Sequence, residues 1–81
     1  MEIKRLMMGT WSIQNEDELV GIVFDSFIVH TPNLRISQRE EVQEAFRKKR
    51  LIQVNKKTLD SLYKRIISDD GDQSIPEGDS N

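Results

Sequence analysis

The sequence predicts one small all-α domain of three helices, followed by a disordered acidic tail. A chain of 81 residues is too short for more than one domain. Apolar residues recur at helical spacing in three segments, and a residue suited to helix capping stands near the start of each segment. The folded domain is expected to span residues 1–67. The tail, residues 68–81, has one large apolar residue and five acids, which is too little apolar surface to order it.

The first helix is predicted over residues 13–30. Ser12 or Asn15 can cap it, and the acidic run at residues 16–18 suits the positive end of the helix dipole. Its apolar side chains fall on two sides: Leu19, Val20, Ile22, Val23, Phe24, Phe27 and Ile28. We therefore expect it to be the most buried element. The alternative is an N-terminal β-hairpin in an α+β fold, because the segment is rich in β-branched and aromatic residues and QNEDE supplies a turn.

The second and third helices are predicted from their caps and their apolar faces. The second spans about residues 38–50 and begins with a capping box formed by Ser37 and Glu40. The third spans about residues 56–68 and is capped by Asn55. One face of the third helix is apolar and holds Leu59, Leu62, Tyr63 and Ile66. Basic and polar residues occupy its other half, so this half is expected to be exposed.

The stretch VNKKTLDSLYKR, residues 54–65, resembles the recognition helix of helix-turn-helix proteins. In those families a turn valine precedes a polar cap, two polar residues, a threonine and two aliphatic residues three positions apart. The matching residues are Val54, Asn55, Lys56, Lys57, Thr58, Leu59 and Leu62. A second stretch, WSIQNEDEL, is similar to the first-helix entry of homeodomain-like, Myb-type domains. Both resemblances imply three helices, with the third free to enter the major groove of DNA.

The net charge of −2 averages three segments of different sign. Residues 1–34 carry a charge of −3, residues 35–67 carry +6, and residues 68–81 carry −5. A basic segment of this kind suits a polyanionic partner, and an acidic tail is able to compete with that partner.

Nine residues of the basic segment are predicted to contact duplex DNA. Lysines and arginines neutralise phosphates, and polar side chains at the start of the third helix are placed to contact base edges. The predicted contacts are Arg47, Lys48, Arg50, Asn55, Lys56, Lys57, Ser61, Lys64 and Arg65. A competing explanation for RKKR, residues 47–50, is that these bases complement the negative end of a helix dipole.

These features lead us to expect a small DNA-binding transcriptional regulator. Surplus apolar surface on the first helix suggests homodimerisation. The alternative is a non-enzymatic adaptor or inhibitor that docks on a larger protein, with Met7 and Met8 as an adaptable contact surface.

Neither an enzyme nor a cofactor is expected. The chain has no cysteine and a single histidine, His30, and its sequence supplies no phosphate-binding loop and no nucleophile–base pair. Its apolar runs are too short for a membrane span or a signal peptide. This favours a cytoplasmic or nuclear protein without membrane contact.

Overall fold

The chain forms a mixed five-stranded sheet with one helix on each face. The computed structural model describes the backbone of residues 1–71 and the side chains of residues 1–68. The strands are β1 (Glu2–Met7), β2 (Thr10–Asn15), β3 (Glu18–Val23), β4 (Phe27–His30) and β5 (Arg50–Gln53). The helices are α1 (Ile36–Ala45) and α2 (Lys56–Gly71). The strands lie side by side in chain order, so β1 and β5 are the two edges.

The connections explain where each helix lies. Strands β1 to β4 are antiparallel neighbours, whereas β5 pairs with β4 in parallel. Parallel neighbours need a crossover connection, and α1 supplies it. Successive residues of a strand point to opposite faces. In β3, Val23 packs in a cluster with Val42 of α1, whereas its neighbour Ile22 packs in a cluster with Leu59 of α2. The two helices therefore cover opposite faces of the sheet.

The predicted all-α fold of three helices is wrong. The segment expected to form the first helix, residues 13–30, instead contains the second half of β2 and all of β3 and β4. A strand buried on both faces is apolar at nearly every position, so it lacks the alternation that marks a half-buried strand. Every residue of β3 after Glu18 is buried. The α+β alternative, with a hairpin in this part of the chain, is the one the structure shows.

A β-bulge also makes β3 harder to predict from the sequence. The pairing between β2 and β3 shifts between Ile13, which faces Gly21, and Gln14, which faces Leu19. Val20 is therefore an extra residue on β3, and it packs on the α1 face together with Ile13. The dimerisation predicted from sequence depended on exposed apolar side chains of a first helix. Those side chains belong to strands and are packed in and around the core of the sheet.

The start of α1 is held by a glutamine and not by the predicted capping box. Ser37 and Glu40 are both exposed within the first turns of the helix. The backbone N–H of Arg35 donates to Oε1 of Gln38 at 3.1 Å. Gln38 also exchanges two hydrogen bonds with the side-chain amide of Asn15 in β2, at 2.9 and 3.0 Å. One side chain thus caps α1 and ties it to the sheet.

The helix predicted over residues 56–68 is confirmed, and so is its cap. Oδ1 of Asn55 accepts a hydrogen bond from the backbone N–H of Thr58 at 2.8 Å. Its predicted apolar residues all belong to the cluster on the α2 face of the sheet. The helix continues to Gly71, so its last turn enters the segment predicted as tail. The remainder of that tail, residues 72–81, lies outside the described residues.

Docking of α2 depends on Leu59, which is 0% exposed. We predict that Leu59→Ala lowers the free energy of unfolding by about 2–5 kcal/mol, because it removes buried methyl groups and leaves a cavity. Ile67→Ala is the control on the same helix, since Ile67 is 45% exposed and should cost less than about 1 kcal/mol. Urea unfolding measures both. Equal losses in the two variants would contradict the docked position of α2.

The capping arrangement predicts that two neighbouring residues of α1, Ser37 and Gln38, contribute very differently to stability. Gln38→Ala should cost about 1–3 kcal/mol, because three hydrogen bonds are lost and Asn15 keeps an unpaired amide. Ser37→Ala should change stability by no more than about 0.5 kcal/mol, since that side chain is exposed. Thermal unfolding of the two variants tests this order. A larger loss of stability in Ser37→Ala than in Gln38→Ala would instead support the predicted capping box of Ser37 and Glu40.

Candidate nucleic-acid interface

The outer face of α2 carries a row of exposed polar and basic side chains without an acid. The opposite face of the helix is held in the core by Leu59. The row consists of Lys57, Ser61, Lys64, Arg65 and Ser68, all of them exposed. At 100° per residue these positions fall within an arc of about 100°, and they extend over about 16 Å of the helix axis. We call these five residues the α2 row.

The structure places Asn55 and Lys56, two further predicted contacts, differently. The side-chain oxygen of Asn55 caps α2. Nζ of Lys56 donates to the backbone carbonyl of Leu19 in β3 at 3.0 Å and lies 3.3 Å from Oδ1 of Asp60. Both side chains are thus engaged in holding the start of α2. Asp60, the acid that flanks the α2 row, is partly neutralised by Lys56.

Arg47 and Lys48 lie in the loop after α1 and adopt left-handed backbone conformations, with φ of 63° and 55°. The N–H of Arg47 donates to the carbonyl of Glu44 at 3.4 Å, and the N–H of Lys48 donates to the carbonyl of Gln43. These two bonds form a Schellman motif, in which glycine usually occupies the position of Arg47. The last turn of α1 itself contains no basic residue. The four bases therefore follow the helix and do not form its last turn.

Lys49 is the one member of RKKR that turns inward. It is half-buried, and its Nζ donates to the backbone carbonyls of Phe24, at 2.8 Å, and Asp25. These bonds tie the α1–β5 loop to the turn between β3 and β4. The flanking bases Arg47, Lys48 and Arg50 remain exposed.

The two ends of the sheet differ in charge. Arg50 pairs with Phe27 at the start of β4, so the basic loop 47–50 lies at that end. His30, at the other end of β4, faces Gly21, and the first residues of β3 extend beyond it at that end. The acidic residues 16–18, which form the β2–β3 turn and its exit, therefore lie at the opposite end from the loop.

The helix α2 starts at the acidic end, where Nζ of Lys56 bonds to Leu19 of β3. From there it packs against β3 and approaches β1, the edge opposite β5. Arg50 points to the α2 face, because its sheet neighbour Phe27 packs in the α2 cluster. Lys64, Arg65 and Arg50 therefore lie on one face of the sheet.

An open cleft at the acidic end is a weaker candidate for a ligand site. It is lined by Met1, Asn15, Glu16, Glu18, Asn33, Arg35 and Gln38. Several of these polar groups already bond to one another: Asn15 pairs with Gln38, and Nδ2 of Asn33 donates to Oε2 of Glu18 at 2.6 Å. These hydrogen bonds join α1, and the loop before it, to the strands on either side of the β2–β3 turn.

His30, the single histidine of the chain, is buried in the sheet. His30 is 3% exposed, and its Nδ1 lies 2.9 Å from the carbonyl oxygen of Thr31, so that nitrogen carries the hydrogen. It is sealed in the sheet away from solvent. Among the side chains of residues 1–68, no group of three or more histidine, aspartate or glutamate residues is placed to hold a metal ion.

Comparison with protein-family models, curated proteins and solved structures finds no match. The function is therefore inferred from the geometry of this chain. In the described part of the chain, no helix has the length and apolar character needed to cross a membrane.

The left-handed backbone at Arg47 predicts an unusual mutational result. Arg47→Gly should be more stable than Arg47→Ala by about 1 kcal/mol, because a Cβ atom is strained in this conformation and glycine is not. Both variants lose the same charge, so their difference isolates the backbone effect. Urea unfolding gives the comparison, and a more stable alanine variant would contradict the conformation of this turn.

Proposed function

We propose that this chain is a small, non-enzymatic DNA-binding protein, of the kind that regulates transcription. The observation that carries the proposal is the α2 row, an acid-free basic surface on a helix whose other face is fixed in the core. The exposed bases Arg47, Lys48 and Arg50 add positive charge in and after the α1–β5 loop, and Arg50 points to the same face of the sheet as α2.

The α2 row has the dimensions and chemistry that duplex DNA requires. A major groove about 12 Å wide admits an α-helix. Lys57, Lys64 and Arg65 are suited to phosphate oxygens or to guanine, and the hydroxyl of Ser61 is able to donate or accept at a base edge. Because the sheet holds α2 from behind, binding requires little further ordering of its backbone.

This mode of binding differs from that of a helix-turn-helix. In that motif a first helix packs against the recognition helix and crosses the DNA backbone. Here α1 lies on the opposite face of the sheet from α2, so the sheet alone supports the DNA-facing helix. The predicted recognition role of Asn55 and Lys56 is correspondingly replaced by contacts from later positions, Ser61, Lys64 and Arg65.

Binding to a random-sequence duplex over a series of salt concentrations tests the proposal. The triple variant K57Q/K64Q/R65Q should weaken binding and reduce the slope of log K against log salt by about 2.7, since each lost phosphate contact removes about 0.9. Circular dichroism should be unchanged, because all three residues are exposed.

A matched pair of single variants controls for net charge. Arg65→Gln and Arg35→Gln each remove one exposed guanidinium, but Arg35 lies at the acidic end of the sheet, beside the start of α1. Only Arg65→Gln should lower the salt slope. Equal effects of the two variants, or an unchanged slope in the triple variant, would refute binding through the α2 row.

A further inference from the structure

Strand β1 is held mainly by its backbone pairing with β2, and α2 also approaches it. It pairs with β2 from Glu2 to Met7, yet none of its side chains belongs to either core cluster of the described residues. Five of its six residues are exposed, and Ile3 and Met7 keep 36% and 40% of their surface accessible. Among the described residues, no strand pairs with its outer edge, because β1 is the first strand of the sheet.

Only the first part of β1 is suited to further pairing. The register between β1 and β2 shifts between Arg5 and Met7, and a bulge of this kind twists an edge away from a new partner. Residues up to Arg5 precede the shift and form a regular edge. The other edge of the sheet, β5, has four residues and starts with an exposed arginine.

We propose that β1 pairs with β1 of a second copy of this chain, in antiparallel register centred on Ile3. A two-fold axis perpendicular to the sheet preserves its faces, so each residue must oppose one on the same face of the partner strand. Centring on Ile3 sets Ile3 opposite Ile3 of the partner, and Glu2 opposite Lys4 of the partner. Each dimer then contains two Glu2–Lys4 pairs across the seam.

Charge selects this register among those that the two-fold axis allows. Centring on Lys4 or on Arg5 would place two like charges directly opposite each other, which is destabilising in a sheet. Centring on Ile3 pairs opposite charges on one face and two half-exposed isoleucines on the other face. It also uses only residues before the bulge. The edge of β1 is thus self-complementary in this one register, and a second copy is the partner that it fits.

A charge-swap series tests the proposed interface in the absence of DNA. Sedimentation equilibrium on the full chain should show a dimer. Lys4→Glu places Glu2 opposite a second glutamate at both ends of the seam, and should raise the dimer dissociation constant by about tenfold. The double variant E2K/K4E reverses both charges, restores the opposite-charge pairs, and should return the dissociation constant to that of the unaltered chain.

Three results of this series would contradict the proposed dimer. Glu2 and Lys4 are exposed, so far-ultraviolet circular dichroism should match in all three proteins and show that each chain is folded. A chain that stays monomeric at high micromolar concentration overturns the proposal. So does a Lys4→Glu variant that dimerises as well as the unaltered chain, or a double variant that fails to regain dimerisation. None of these results depends on DNA binding.

Discussion

Burial of β3 on both faces is the constraint on which the rest of the structure depends. This strand contributes Val20 and Val23 to the cluster under α1, and Leu19 and Ile22 to the cluster under α2. Without either helix, one apolar face of β3 would meet water at a cost of about 25 cal/mol for each Å² exposed. Each helix is therefore needed to cover one face of the sheet. The bulge at Val20 adjusts which side chains reach each face.

The same constraint explains which parts of the fold the sequence predicts. The helix α2 is predictable because its signals are local: a capping asparagine, and apolar residues on one side only. Strand β3 is not, because two-sided burial removes the alternation and its apolar run fits a buried helix equally well. The cap of α1 is hidden for another reason. Gln38 takes part in it through Asn15, a partner 23 residues away in the chain.

The same distinction applies to the residues of the candidate site. Those placed by the local helix pattern are predictable from sequence, and those placed by long-range contacts are not. The α2 row follows from the helix pattern, so Lys57, Ser61, Lys64 and Arg65 are found from sequence. The contacts of Lys56 are not, because its carbonyl partner Leu19 is 37 residues distant and is brought close only by the sheet. The inward turn of Lys49 is likewise a property of two loops that meet in space. Long-range hydrogen bonds thus distinguish Lys49 and Lys56, which hold the fold together, from the bases of the α2 row.

The sheet also connects the two proposals. Pairing of two β1 strands about a perpendicular two-fold axis would form one continuous sheet of ten strands. Both copies of α2 would then lie on the same side of that sheet, and each would present its α2 row in the same direction. Such a dimer offers one duplex two basic helices, and linked contacts of this kind raise affinity without any new type of interaction.

The proposed function requires that α2, anchored on the sheet, presents its outer face to DNA. Amide chemical shifts recorded by NMR during titration with a short random-sequence duplex test this claim most directly. The largest changes are expected at residues 57, 61, 64 and 65, with smaller ones at 47–50 and essentially none in the acidic turn at 16–18. Changes centred on β1 or on the acidic end, with residues 57–65 unaffected, would contradict it.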